Sequence, residues 1–265
     1  SSEGNVGGCQ KGQLKGWFEQ MIVNIQYPSG KEHKLYAIAY LDLLGTTEKI
    51  KNDDKGDYFF RIYTIYNMAV SYGNNQTLAS SPYRKIKTKI FSDNIIMAMP
   101  LDSSGDTNNL SLLISFVSVF QNYANVLYSW LVRGGLTVGE LFIDDMFVWG
   151  TGLLRAYELE SQIAFYPRVV VDENIVALFP NNFVGFCRDT DGKYFTNFLS
   201  YMEYHAADGS DNLVPTIQNS FRTLLSDIKG PNGRYHERAL QKLQWYRVYI
   251  NSWFQKKYPS ANIVP

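Results

Sequence analysis

The chain has 265 residues, 45% hydrophobic and 15% aromatic, and its 25 basic and 25 acidic side chains cancel. That length and composition bury a substantial core and exclude a disordered or low-complexity protein. Zero net charge excludes bulk electrostatic capture of nucleic acid or of an anionic membrane, so any phosphate binding must come from local placement. Cys9 and Cys187 lie far apart without ligand-like spacing. This argues against a disulfide framework or structural zinc and fits a reducing, cytoplasmic compartment. His33, His205 and His236 are scattered and belong to no motif, and the small polar Ser1–Gly8 lead is not expected to be a secretory signal.

In chain order, residues 1–34 read as an N-terminal lead with one periodic stretch near Trp17–Ile25. The apolar run Leu35-Tyr-Ala-Ile-Ala-Tyr-Leu41 predicts a buried strand, ending in Asp42, a Gly45 turn and a helix start. Helical spacing of apolar residues predicts a helix over Asp57–Tyr72. Arg84–Pro100 reads as a hairpin turning at Ser92-Asp93-Asn94, with Lys85, Lys87 and Lys89 on one face and Ile86, Thr88 and Ile90 on the other. Thr107–Val132 has no charged residue and is long enough to raise a membrane question. Its Asn108, Asn109, Gln121, Asn122 and Asn125 point instead to a helix buried between a sheet and a partner subunit, with no membrane insertion. A Gly-marked strand over Val132–Glu140 is expected to continue through Phe142 and Met146–Trp149. After it come a helix from Gly150 through Arg155 to Ala164, a strand over Pro167–Val171 and a short element over Asn174–Phe179. A hairpin around Asp189–Gly192 and two helices from Asn212 split at Gly230–Gly233 complete the chain. The reading is α+β: a βαββαβ core with extra strands and a C-terminal helical appendage, the helices on one face of a mixed sheet. Its parts are a lead (1–34), a core domain (35–200) and a C-terminal extension (201–265).

Asp42 at a strand end, facing N–H groups at a turn and helix start, suits a metal beside a phosphate chain, or it only caps the helix. Asp93 supplies a partner. Two carboxylates from adjacent strand ends, about 4–6 Å apart, suit a two-cation site of the phosphoryl-transfer type. Lys89 leads to Asp93 and is placed to meet phosphate or a base edge, whereas Lys85 and Lys87 read as a solvated face. Tyr40 shares a strand face with Asp42, where it either stacks on ribose or base or packs in the core.

The order Tyr40-Leu-Asp-Leu-Leu-Gly-Thr46, Ile90-Phe-Ser-Asp-Asn94, Arg133-Gly-Gly-Leu-Thr-Val-Gly139, then Val148-Trp-Gly150 with Ala156-Tyr-Glu-Leu-Glu160, resembles the class III nucleotidyl cyclases over about Leu35–Asp172. Ser92-Asp93-Asn94, Arg133-Gly-Gly and the run from Ala156 to Tyr166-Pro-Arg168 look most like the small bacterial pyrimidine cyclases of antiphage (Pycsar) signalling. The resemblance implies a ferredoxin-like cyclase core, a head-to-tail homodimer with interface sites, and two Mg²⁺ or Mn²⁺ ions on Asp42, Asp93 and the Leu43 carbonyl. It also implies a phosphate cradle at Leu44, Gly45, Thr46 and Thr47, and a downstream effector that senses the cyclic nucleotide. The purine-reading positions map to Lys89 and Phe147, where an apolar ring replaces a polar reader. The transition-state asparagine and arginine map to Leu154 and Glu158, and a strand arginine maps to Glu140. Arg155 is the candidate substitute cation, or a surface helix arginine, and Lys193 is a weaker candidate. The expected activity is conversion of a pyrimidine nucleoside triphosphate, UTP before CTP, to its 3′,5′-cyclic nucleotide and pyrophosphate. The alternatives are a catalytically inactive nucleotide-binding module and, less well supported, a palm-type two-metal enzyme.

Overall fold

The computed structural model describes residues 34–51, 53–71, 82–201, 213–228 and 233–257. The lead and its helix near Trp17–Ile25 lie outside these residues. Strand β1 (Lys34–Leu43) is apolar along both faces because both are covered. Ala37, Ala39, Leu41 and Leu43 pack with α2 (Asp57–Val70) and α3 (Thr107–Tyr128), while Tyr36, Ile38 and Tyr40 pack with Ala156 of α4 (Thr151–Glu158). A short helix, α1 (Thr47–Lys51), follows the Gly45 turn, where φ is 74°.

The hairpin β2 (Lys87–Phe91) and β3 (Asn94–Pro100) turns at Ser92-Asp93, with Ser92 at φ 59°. Strand β3 pairs antiparallel with one edge of β1, and β4 (Val132–Ile143) pairs antiparallel with the other. The order β2-β3-β1-β4 is that of a ferredoxin-like βαββαβ sheet. Beyond β4, the sheet continues through β6 (Val169–Val171), parallel to β4, and then β8 (Tyr194–Thr196) and β7 (Phe186–Arg188). Between β6 and β7 lies the short helix α5 (Glu173–Val176). The architecture is α+β, as the element pattern predicts.

Two local expectations are corrected. Met146–Trp149 does not continue β4. The chain reverses at Asp144, whose side chain accepts the Met146 and Phe147 amides at 2.8 and 2.7 Å, and β5 (Val148–Trp149) returns antiparallel on β4. Helices also cover both faces of the sheet, because glycines in β4 let α4 lie against it. A Cβ on Gly135 would stand 2.3 Å from the Ala156 carbonyl and 2.4 Å from Leu159 Cβ. Gly135→Ala is therefore expected to cost about 1–3 kcal/mol by overpacking, read as a lower urea midpoint.

The uncharged helix is α3. By length and composition it could cross a membrane, but 67% of its apolar window is buried within the protein. This chain itself supplies much of its cover. Asn122 donates to the Phe198 carbonyl at 2.6 Å, Gln121 accepts from Thr196 at 2.7 Å, and the Asn125 carbonyl accepts from Ser220 at 3.1 Å. Ser220 belongs to α6 (Leu213–Ile228), which with α7 (Gly233–Lys257) shares an apolar cluster with Phe195, Phe198 and Leu199.

Candidate active site

The sheet register sets the site. Phe91, Asn94, Asp42 and Arg133 form one cross-strand row, and Lys89, Ile96, Tyr40 and Gly135 form the next, all on the α4 face. Arg133 Nε donates to Asp42 Oδ2 at 2.9 Å, and its Nη2 lies 2.7 Å from Glu160 Oε1. Glu160 sits in the π-helical turn Leu159–Ile163 that continues α4, and only 4% of its side chain is exposed. One guanidinium thus bridges two buried acids. Burial pushes the Asp42 carboxyl above its ordinary pKa; Arg133 pulls it back and Asp93 adds to the rise. Glu160 is raised by burial in the same way and is likewise opposed by Arg133.

Asp93 reaches the same end of β1 from the hairpin turn. Its carbonyl accepts the Leu43 amide at 3.0 Å, which ties the turn to the strand end. The buried Thr46 hydroxyl lies 2.7 Å from the Leu43 carbonyl and 3.0 Å from Asp93 Oδ2, so both oxygens converge on one point. Asn94 donates to Asp93 Oδ1 at 3.1 Å and accepts the Tyr40 hydroxyl at 2.9 Å. Tyr40 is buried edge-on against Tyr157 and Phe91, and burial followed by the Glu160 charge pushes its hydroxyl up to about 12.

A divalent cation suits this donor set. Asp42, Asp93 and the Leu43 carbonyl offer hard oxygens, and two of them already share a focus. Among the described residues no group of three or more His, Cys, Asp or Glu side chains is arranged for a metal. The remaining coordination would come from water and phosphate, as is usual for magnesium.

No protein-family model matches the chain, and no curated protein matches it. Similar solved structures include an adenylate/guanylate cyclase/hydrolase from Silicibacter pomeroyi, 14% identical, covering 62% of this chain and 95% of that one at a TM-score of 0.39. A class III adenylyl cyclase-like ATP-binding protein from Pseudomonas aeruginosa is 9% identical, covering 73% of this chain and 49% of that one at 0.49. The catalytic core of a rhodopsin-guanylyl cyclase in complex with ATPαS is 12% identical, covering 62% and 96% at 0.43. The strand order, not these distant likenesses, defines the fold.

Other predicted residues sit elsewhere or are already engaged. Leu44 has no free amide for a phosphate cradle, because its N–H donates to the Leu131 carbonyl at 2.9 Å. Gly45, Thr46 and Thr47 remain for that role. Arg155 is not beside Asp42. It forms a two-point pair with Asp172 at 2.9 and 3.1 Å, and Asp172 also accepts from Thr137, two rows along the sheet. Lys89 shares the Asp42 face and donates to the Asp145 carbonyl at 2.7 Å, next to exposed Phe147 in the β4–β5 turn. Lys89 therefore reaches the β4–β5 turn that carries Phe147. Lys87 is not simply solvated, since its ammonium donates to the Ile143 carbonyl at 2.9 Å. Lys193 pairs with Glu173 at the surface. Sequence reasoning gave Arg133, Glu160 and Asn94 no role. The signal for Arg133 is the antiparallel register that sets it opposite Asp42.

Proposed function

We propose that this chain is a nucleotidyl cyclase acting on a pyrimidine nucleoside triphosphate, UTP before CTP. The observation that carries the reading is the convergence of Asp93 and the Leu43 carbonyl on the Thr46 hydroxyl at the end of β1, where Asp42 ends the strand paired with the Arg133 guanidinium. Asp42, Asp93 and the Leu43 carbonyl would hold Mg²⁺ or Mn²⁺, two ions per site, and the metal would supply positive charge for the triphosphate and for ionisation of the ribose 3′-hydroxyl. The chain's own groups do the rest. The Gly45–Thr47 amides and Arg133 orient the phosphates, and Thr46 holds Asp93 in place. The 3′-oxygen forms a bond to the α-phosphorus as the bond from that phosphorus to the bridging oxygen breaks. The hydroxyl proton passes to solvent and pyrophosphate leaves. Lys89 gives the base one cation, while Phe147 gives it an apolar ring, one hydrogen-bond partner fewer than a purine edge needs.

The reading includes a homodimer. Met146 and Trp149, 82% and 72% exposed, adjoin exposed Phe147, Leu154 and Tyr157 on α4 and the β4–β5 turn, an apolar surface that suits a second copy. It also includes residues 35–200 as the catalytic domain with residues 201–265 as an extension, a cytoplasmic setting, and a product read by a cyclic-nucleotide-sensing effector in antiphage defence. The capture of Arg155 by Asp172 favours the second reading, an inactive nucleotide-binding module. Incubation with each of the four NTPs and Mn²⁺ decides between them. The expected product is cUMP, or cCMP with CTP. Only cAMP or cGMP, or no cyclic product, overturns the reading, and tight NTP binding without turnover selects the module.

A further inference from the structure

Turns are more mobile than the strands they join. Asp93 stands in a hairpin turn, yet both of its carboxylate oxygens are held. The Thr46 hydroxyl lies 3.0 Å from Oδ2, and the Asn94 amide donates to Oδ1 at 3.1 Å. Among the described residues no cation pairs with Asp93, in contrast to Asp42, which Arg133 grips. Neutral donors orient a carboxylate while leaving its charge available, and a divalent cation needs both from a ligand.

The direction of the Asn94 bonds follows from their chemistry. An ionised carboxylate only accepts, so the amide nitrogen must face Asp93 and the amide oxygen must face away. That oxygen meets the Tyr40 hydroxyl at 2.9 Å, and the hydroxyl donates. Burial, ahead of the surrounding acids, pushes the hydroxyl up to about 12, so it keeps the proton it donates. A half-turn of the amide would set oxygen against oxygen at Asp93 and break both bonds. The sheet register supplies the reach. Tyr40 pairs with Ile96, so Asn94 is its diagonal neighbour on the same face, about 7–8 Å away, a span that an aromatic side chain can cross. Tyr157 and Phe91 pack edge-on against the Tyr40 ring, with centroids at 5.4 and 6.5 Å, and fix where the hydroxyl points.

We propose that Tyr40 and Asn94 are positioning residues that aim Asp93 at its cation: Asn94 holds Oδ1, and Tyr40 keeps the Asn94 amide the right way round. This deepens the cyclase reading and rests on it in one respect, that Asp93 holds a divalent cation. Neither residue touches the metal; each acts through the next.

The test is Mn²⁺ binding to the full chain without nucleotide, with free Mn²⁺ read by electron paramagnetic resonance and a thermal melt taken for each variant. Asn94→Leu removes the donor to Oδ1 and is expected to weaken Mn²⁺ binding about tenfold or more, the usual effect of losing an outer hydrogen bond to a ligand. Tyr40→Phe keeps the ring and removes only the hydroxyl, and should weaken binding about threefold or more, the size of one neutral hydrogen bond. The double variant decides. If Tyr40 acts only through Asn94, Tyr40→Phe with Asn94→Leu binds within about twofold of Asn94→Leu alone, whereas independent effects would multiply. Tyr36→Phe, which removes a hydroxyl from the same face of β1 outside this chain of bonds, should leave the affinity unchanged. Losses that multiply, or wild-type affinity in Asn94→Leu or in Tyr40→Phe, overturn the proposal, and the cyclase reading survives them if Asp93→Asn still abolishes binding. A loss in Tyr36→Phe equal to that in Tyr40→Phe also overturns it, because packing on that face would then be the cause. A wild-type chain that binds no Mn²⁺, or an Asp93→Asn chain that binds it as wild type does, overturns both.

Discussion

Asp42→Asn and Asp93→Asn are each expected to lower cyclic-nucleotide formation at least about a thousandfold, about 4 kcal/mol of transition-state stabilisation, with folding preserved. Asparagine keeps the shape of the side chain and can still accept from Arg133 or Thr46, but it removes the negative charge a divalent cation needs. The fold tolerates the change at Asp42 because burial already disfavours its charged form there. At Asp93, the Thr46 hydroxyl can still donate to the amide oxygen. Single-turnover product formation with Mn²⁺, beside circular dichroism and a thermal melt, gives the answer. The double variant should lose little more than either single one, since groups that act as a unit are not additive. Activity within tenfold of wild type in either single variant would sink the metal assignment.

Much of the site frame is legible in the sequence. Strand period and turn chemistry put Asp42 at the end of β1 and Asp93 in a hairpin turn, and the βαββ order makes that hairpin a neighbour of β1. The helix-on-both-faces arrangement is not legible, because it depends on the missing Cβ of Gly135 meeting Ala156 and Leu159, a fit that periodicity does not encode. Arg155 misleads for a related reason. On a helical wheel it looks like a surface cation, and its partner Asp172 becomes adjacent only once β6 pairs with β4. Glu160 reads as one more charge in a helical run, and its burial follows from the π-helical turn, which rotates it onto the sheet.

The largest stability effect is expected at Arg133. Arg133→Met removes the one cation shared by Asp42 and Glu160 and leaves two acids in a site where only 16% and 4% of their side chains are exposed. Breaking a buried pair in this way costs about 3–5 kcal/mol when the acids are charged. The pH dependence has a definite sign. Both acids already have folded pKa values above their unfolded ones, with burial as the main cause and Arg133 opposing it. Without Arg133 the folded values rise further. An acid of that kind contributes stability that is fully present below its unfolded pKa and is lost as pH rises through the folded one. The variant should therefore lie close to wild type near pH 4 and fall progressively below it toward pH 8 in urea or thermal unfolding. Arg133→Lys should recover less than half of the loss, because a single ammonium cannot span both carboxylates as the guanidinium does. If Asp42 is a cation ligand, millimolar Mn²⁺ at pH 8 should raise the melting temperature of Arg133→Met more than that of wild type, since the metal then replaces the missing positive charge. A loss of the same size at pH 4 and pH 8 would mean that Arg133 supports the site through its packing alone.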